Sequence, residues 1–491
     1  MLLAGFLFAL FFIIEFLFEW YRLEQPAMEA VSWAEKNNAK LVDLLSPMAR
    51  AYNNVLAMLV ATIGLAIPLT ANMHTPKLIE MFLRDRINQI MLFGFAFGAA
   101  NVLFVAYMVG PDFAPMWAVR FAVVFALLGW VLVIPYFFYV VRFLDPSNIL
   151  RRLKEEISAT VDAGTQGEDV EQCQDVIHER LQQIGTIVLK STDRADRSVV
   201  LDGIWGLKQV MDHYGAMKSK LPDGWFKVDR KDFVGLSAEA IEIINEDRIW
   251  FEHKVMHQLY LAYQGALPKS ADAVSAISDA TRVIASKIAD RGDERALTLT
   301  VRYFNNYLRE AIKRKDIHAI YDLFYQYRLL GLDAGGKHPE LLRQIARYFR
   351  VYSDVAVGSG LPFVPQIAAF DLAWLVRHAY DEQREAAPDA LAEELAMEHM
   401  AAGKPVALVV KAKLALGGYF MGKNLEQEAR RVRENLANVP ADALASIGES
   451  LMQVKDRCFW EVTDRQINFE WMPQERRDKV KTFLDSMQSQ A

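Results

Sequence analysis

Long apolar stretches dominate the first third of the chain. Crossing the hydrocarbon core of a bilayer as a helix takes about 20 mainly apolar residues. Four stretches meet that requirement, and they cover residues 2–20, 53–71, 90–110 and 121–141. The last three contain no Lys or Arg within the apolar run. The pattern therefore predicts a four-helix transmembrane domain over residues 1–145.

The first stretch differs from the other three because it carries acidic residues. It is apolar as far as Ile14 and then contains Glu15 and Glu19. A secretory signal would show a basic segment before the apolar run and a small-x-small cleavage site after it, and this stretch shows neither. We therefore interpret it as a retained membrane anchor.

Amphipathic helical spacing follows the apolar part. Residues Leu341, Ile345, Phe349 and Tyr352, for example, share one helix face. No run shows the alternation typical of a strand. We expect an all-α fold in which residues 146–491 form a large cytoplasmic helical array, either α-solenoid-like or built of irregular helical hairpins.

Turn-forming segments interrupt this helical pattern and suggest where the array divides. Two of them contain the Gly and Pro residues that commonly end helices. They allow a subdivision of the cytoplasmic part near residues 216–236 and 357–364.

The distribution of basic residues predicts the orientation in the membrane. The connector 72–89 contains Lys77, Arg84 and Arg86, whereas 111–119 contains no Lys or Arg. Cytoplasmic loops are enriched in Lys and Arg, so we expect 72–89 and the C-terminal part to face the cytoplasm of a bacterial inner membrane. By alternation 21–52 would lie outside, although its four basic residues oppose that placement.

Small residues in two spans predict close helix packing. Gly94 and Gly98 have the Gly-x-x-x-Gly spacing, and Ala57, Ala61 and Gly64 follow a similar spacing in the second span. Two interpretations remain open at this point: contact between subunits, or contact within one four-helix bundle.

Polar residues within the spans are candidate pore or gate groups. Glu15 and Glu19 are four residues apart and share a helix face, and Asn101 lies inside the third span. Ionisable groups inside a membrane often mark ion or proton paths. The alternatives are that the two carboxylates reach the outer headgroup region and that Asn101 forms a hydrogen bond between helices.

A basic cluster follows the fourth span. Arg151, Arg152 and Lys154 lie 10 to 13 residues after its cytoplasmic end at residue 141. Such clusters attract anionic lipids, so we expect these residues to contact lipid headgroups.

The connector TPKLIEMFLRDRINQIMLFG resembles the cytoplasmic hairpin of a bacterial membrane-protein family, domain of unknown function 2254. The matching positions are Pro76, Leu78, Phe82, Arg84, Asp85, Arg86, Gln89 and Leu92. The resemblance covers residues 45–140. It implies four membrane helices followed by a soluble region, and it implies no activity.

Two segments resemble a metal-binding and a nucleotide-binding motif, but each differs from the motif at a required position. His253 and His257 lie four residues apart on one helix face, yet Lys254 follows the first His where a zincin has Glu, so they are weak metal candidates. Gly331, Gly336 and Lys337 fit G-x-x-x-x-G-K, but His338 replaces the Ser or Thr that binds magnesium. We expect no catalytic residue, no metal and no cofactor.

Charge supports a membrane-bound, non-enzymatic protein. Residues 1–145 hold 9 of the 55 basic and 10 of the 61 acidic residues, and the net charge of −6 argues against nucleic-acid binding. We expect an integral inner-membrane protein that contacts lipids, forms a homo-oligomer and presents a helical scaffold to a cytoplasmic protein partner. The alternative is a homo-oligomeric ion channel gated by its cytoplasmic domain.

Overall fold

The computed structural model describes residues 31–73, 75, 77–109, 115–459 and 465–488. Within these residues the secondary structure is helical apart from a two-stranded hairpin, in which β1 (Met400–Ala401) runs antiparallel to β2 (Lys404–Pro405), and an isolated bridge between Cys458 and Ile467. The all-α prediction is confirmed. The chain divides into two compact units between Ile149 and Leu150. The predicted first span, with Glu15 and Glu19, lies outside the described residues.

Three long apolar helices form the first unit. They are α1 (Val31–Met73), α3 (Arg86–Met108) and α4 (Met116–Leu144), and the short α2 (Leu78–Arg84) precedes α3. Each long helix contains a segment apolar enough to cross a membrane, with mean hydropathies of 1.9, 2.0 and 2.4. The spans predicted at 53–71, 90–110 and 121–141 coincide with these helices. Helix α1 begins earlier than the span predicted at 53–71, because it also includes residues 31–52.

One tyrosine fits between the three helices where two glycines leave room. Tyr52 of α1 is 3% exposed, and α1, α3 and α4 each contact the other two. A Cβ at Gly98 would lie 2.8 Å from the Tyr52 hydroxyl oxygen, and one at Gly129 would lie 2.4 Å from it. Large side chains at both positions are therefore excluded by packing inside the unit.

The hairpin between α2 and α3 is fixed by polar contacts. The Asp85 side chain accepts hydrogen bonds from the backbone amide of Asn88 at 3.0 Å and from the Tyr139 hydroxyl at 2.8 Å. It therefore caps the start of α3 and connects it to α4. The buried Asn88 side chain donates to the Phe82 carbonyl and accepts from Tyr136. Gln89 donates to the Leu83 carbonyl at 2.8 Å. These polar residues of the connector therefore stabilise the turn between α2 and α3.

The second unit consists of helices of 9 to 24 residues. They are α5 (Pro146–Thr165), α6 (Val170–Asp193), α7 (Arg197–Met217), α8 (Ala238–Glu246), α9 (Trp250–Ala266), α10 (Ala271–Asp290), α11 (Glu294–Arg314), α12 (Ile317–Ala334), α13 (Pro339–Gly358), α14 (Val364–Asp381), α15 (Ala387–Ala396), α16 (Ala407–Gly422), α17 (Glu426–Asn435), α18 (Ala441–Met452) and α19 (Gln474–Gln488). Short 3₁₀ helices at Lys218–Lys220, Asp223–Phe226 and Arg230–Asp232 separate α7 from α8.

The helices of the second unit pack in two rows. In one row α7, α10, α12, α14, α16 and α19 contact each other in that order. In the other row α6, α9, α11, α13 and α15 do the same. Helices adjacent in sequence, such as α11 and α12, contact each other across the rows. This is the stacking of helical hairpins that the amphipathic pattern predicted.

A buried lysine of α16 binds the end of α15 and the chain that follows it. The Lys413 ammonium donates to the carbonyls of Leu395 and Met397 at 3.0 and 2.7 Å and to the Asn435 side chain at 2.8 Å. Burial lowers the pKa of Lys413 to about 8 and raises the pKa of Glu394 to about 8. These contacts fix the chain that connects α15 to α16.

We predict that Asp85→Ala destabilises the first unit by about 1–2 kcal/mol, because it removes a helix cap together with the acceptor of the Tyr139 hydroxyl. SDS-induced unfolding of the full chain would measure this loss. Arg84→Ala is the control, since it breaks an exposed pair with Glu80 (side chains 77% and 52% exposed) and should cost less than about 0.5 kcal/mol. Equal losses for the two variants would contradict the assigned role of Asp85.

Candidate functional site

The small residues singled out in the membrane helices divide into an inward and an outward group. Gly98 faces Tyr52 inside the unit, whereas Gly94 is exposed. Ala57, Ala61 and Gly64 are also exposed, along one face of α1. A Cβ added at Gly64 or Gly94 would meet no atom of the described residues within 4 Å. Packing within the described part of the unit therefore uses one glycine of the Gly-x-x-x-Gly pair.

Asn101 is fully buried in the first unit. We expected a hydrogen bond between helices, but neither its amide nitrogen nor its carbonyl oxygen has a partner among the residues that the structure describes. A buried amide without hydrogen-bond partners raises the free energy of the folded chain. Asn101 is therefore a polar group at an otherwise apolar contact between helices.

The basic cluster after the fourth span is partly occupied by contacts within the protein. Lys154 donates to the Gln209 side chain at 2.6 Å. Arg151 is exposed and lies 3.4 Å from Glu155. Arg152 is half-buried. Contact with lipid headgroups stays a prediction for these three residues.

The two histidines four residues apart lie in different environments. His253 packs edge-on against Phe233 and Tyr303, with ring centroids 5.5 and 5.8 Å away, whereas His257 is exposed. Burial lowers the pKa of His253 to about 4, with smaller contributions from His257 and Lys254. In the described ranges no three His, Cys, Asp or Glu side chains are grouped closely enough to hold a metal.

The G-x-x-x-x-G-K segment ends one helix and begins the next. Helix α12 stops at Ala334 and α13 starts with Pro339 in its first turn. Lys337 pairs with Asp290 at 2.7 Å, and His338 contacts the Ala289 carbonyl at 2.8 Å. The glycines therefore belong to a connection between helices.

A cavity of about 880 Å³ lies in the C-terminal part of the helical array. Its volume falls in the range of small-molecule sites, roughly 300–1,000 Å³. Helices α12, α14 and α16 contribute to its wall, together with the chain around residues 453–470. The aromatic residues of the wall are Tyr321, Tyr325, Phe370, Phe459 and Phe469. This cavity is the candidate binding site.

Residues 453–459 and 465–470, which we call the strap, form one side of the cavity. The two arms pair through an antiparallel bridge between Cys458 and Ile467. The Asn468 amide donates to the Arg457 carbonyl at 3.0 Å. The second arm is attached to the helices by Glu470, which pairs with Lys411 of α16 at 2.6 Å.

Asp371 provides the strongest attachment of the strap. Its side chain on α14 is completely buried and pairs with Arg328 of α12 at 2.9 Å and with Arg465 of the strap at 2.8 Å. Arg465 also donates to the Tyr321 carbonyl at 2.5 Å. Both guanidinium groups lie about 5 Å from the centre of the Tyr325 ring, a cation–π arrangement. Burial lowers the pKa of Arg328.

Sequence reasoning missed this cavity because its wall comes from segments far apart in the chain. Asp371 and Arg465 are 94 residues apart and neither lies in a motif. One signal was available: Asp371 interrupts the apolar run AAFDLAWLV, and a carboxylate placed there requires a cationic partner.

Comparison with known proteins supports the membrane assignment. Residues 1–195 match the family model described as predicted membrane protein (DUF2254), so the resemblance seen over 45–140 is confirmed and extends further in both directions. No curated protein matches the chain. Among solved structures, a circular tandem repeat protein with novel repeat topology and enhanced subunit contact surfaces is 13% identical; the match covers 92% of this chain and 96% of that chain, with a TM-score of 0.33.

We predict that Asp371→Ala lowers the free energy of unfolding by roughly 3–5 kcal/mol, because two buried guanidinium groups lose their counter-charge. Chemical denaturation of the full chain, followed by circular dichroism, would measure the loss. Asp290→Ala is the matched control: it breaks a pair whose side chains are 63% and 67% exposed and should leave the free energy of unfolding nearly unchanged. A loss at Asp371 no larger than the control would refute its assigned role.

We predict that acid destabilises the protein in part through His253. Its pKa is about 4 in the folded chain, against 6.5 for the free side chain. Between these values the unfolded chain binds a proton that the folded chain does not, so the free energy of unfolding falls as the pH is lowered through this window. In His253→Gln the fall should be smaller by up to roughly 3 kcal/mol. An unchanged pH dependence in denaturant titrations would contradict this assignment.

Proposed function

We propose that this chain is an integral protein of the bacterial inner membrane that self-associates through its membrane helices and presents a non-enzymatic helical scaffold in the cytoplasm. The observation that carries the proposal is the outward group of small residues in the first unit: Ala57, Ala61 and Gly64 on α1, and Gly94 on α3.

Self-association follows from what drives contact between helices in lipid. Since lipid tails are as apolar as the side chains, helices associate mainly through close packing at small residues. Tyr52 packs against Gly98 and Gly129, whereas Gly64 and Gly94 have no neighbouring atom within 4 Å of an added Cβ among residues 31–488 that the structure describes. The other exposed positions of the membrane helices carry large apolar side chains, such as Met58 of α1 at 72% exposure, and these suit contact with lipid.

The scaffold role follows from the build of residues 150–491. Their helices stack in two rows, so the array offers long faces of successive helices to a partner. Large apolar side chains are exposed on this unit, including Ile243 (49%), Val355 (43%) and Trp374 (41%). Exposed apolar groups of this kind suit contact with a cytoplasmic protein. The basic residues of the 72–89 connector support the cytoplasmic orientation.

The alternative, a homo-oligomeric channel, is favoured by one observation: the buried Asn101 amide lacks a partner within the described residues. In that case Asn101, with Glu15 and Glu19, would line or gate a polar path. Ion flux into liposomes carrying wild type, Asn101→Leu and Glu15→Gln tests this alternative. Absence of flux in the wild type at all voltages and tensions would exclude it.

We predict that Gly94→Ile weakens self-association at least about tenfold, because a branched side chain fills the space needed for close approach of a second chain. Mass measurement of the chain in lipid nanodiscs or native detergent micelles would show the shift to smaller species. Leu65→Ile is the control, since this exposed position keeps its volume. Gly98→Ile should instead lower thermal stability, because the new side chain would overlap Tyr52.

Two outcomes would contradict the proposal. The first is a wild-type chain that is monomeric at near-native lipid content. The second is a Gly94→Ile variant that assembles as the wild type does while Gly98→Ile is destabilised, since this would place the outward face against lipid alone.

A further inference from the structure

We propose that the cavity beside the strap is a binding site for a neutral, mainly apolar small molecule with an aromatic ring. This goes beyond the scaffold role and does not depend on it, because every group involved lies within residues 318–470 of one chain.

The wall of the cavity determines the apolar character of the ligand. Five aromatic rings share the lining with the aliphatic side chains of Ile367, Leu408, Val454 and Ile467. Aromatic rings pack favourably against other rings in offset or edge-on geometry. Ligand sites of this size are usually lined by apolar and aromatic groups with a few polar groups that fix orientation. An aromatic molecule therefore matches the lining.

The charges of the cavity favour a neutral ligand. Four charged side chains line it, and their formal charges sum to zero: Lys411 and Arg465 are positive, Asp322 and Glu470 negative. Lys411 pairs with Glu470, and Arg465 is held by Asp371. A charged ligand would lose its hydration on entry and would have to compete with these existing pairs. A neutral ligand avoids both costs.

Polar side chains of the lining can orient such a ligand. Tyr321, Tyr325 and Gln366, which lie on helices α12 and α14, are lining residues with a hydroxyl or amide group. Each can donate a hydrogen bond. The ligand class is thus an aromatic molecule with a small polar, uncharged end.

Two fluorescent probes of matched shape test the proposal. N-phenylnaphthylamine is neutral and aromatic, and anilinonaphthalenesulfonate is the same ring system with an added sulfonate. Each is titrated into the full chain held in amphipol, with protein-free amphipol as the blank. We expect one saturable site per chain for the neutral probe and at least about tenfold weaker binding of the sulfonate, equivalent to about 1.4 kcal/mol.

Variants that fill the cavity locate the binding. Leu408→Trp and Ile467→Trp each add bulk to the wall and should weaken binding of N-phenylnaphthylamine at least about tenfold. Ile467 is 47% exposed, so this variant folds even where Leu408→Trp does not. Val355→Trp is the control, because Val355 is 43% exposed on α13 and lies outside the cavity. It should bind as the wild type does.

Either of two results would overturn the proposal. Unchanged binding of the neutral probe in Ile467→Trp would place the probe elsewhere in the protein. Equal or tighter binding of the sulfonate would show that the cavity selects anions. Both results are independent of self-association, because binding is counted per chain and a monomer retains the whole cavity.

Discussion

The buried carboxylate of Asp371 is the contact on which the C-terminal part of the helical array depends. It is completely shielded from solvent and carries two guanidinium partners, one on α12 and one on the strap. A charge in such a position is tolerated only when it is paired. The pairing therefore requires α12, α14 and the strap to meet in one arrangement. The cavity exists because these three elements meet there while their aromatic side chains leave space between them.

The membrane unit achieves a defined arrangement by different means. Its helices gain little from excluding water, because their surroundings are apolar on both sides, so shape and a few hydrogen bonds must determine the packing. Tyr52 fits against Gly98 and Gly129, and Asp85 joins the start of α3 to α4 through Tyr139. In both contacts a polar atom of a large or charged side chain fixes the position of one helix relative to the next. Apolar neighbours alone would leave the register of the helices undetermined.

Features encoded locally in the sequence were predictable, and features built across long distances were not. Three membrane helices followed from apolar runs, and the α2–α3 hairpin from the residues around Arg84 and Asp85, since both depend on neighbours in the chain. The start of α1 at Val31 was missed because residues 31–52 are too polar to raise a hydropathy signal although they form a helix. Long-range pairing was missed for another reason: the sequence indicates that Asp371 needs a cationic partner, but it does not indicate that Arg465 is one of them.

The two Gly-x-x-x-Gly positions show how a motif divides between roles that sequence alone leaves open. Spacing places Gly94 and Gly98 near one face of α3, and both interpretations, within one chain and between chains, remained available. Four residues of a helix turn through about 400°, so Gly94 and Gly98 are rotated by about 40° from each other about the helix axis. Gly98 faces Tyr52, whereas Gly94 faces away from the described helices.

The attachments of the strap differ in burial and in the number of partners. Arg465 is held by a carboxylate with no solvent exposure, by a backbone carbonyl and by two aromatic rings. The Glu470 side chain pairs with Lys411, and the two side chains are 19% and 12% exposed. Separating the second pair exposes both groups to water, which solvates them, whereas separating the first leaves a buried charge. The pair between Glu470 and Lys411 is therefore the weaker attachment, and the buried pairs of Asp371 determine where the strap lies.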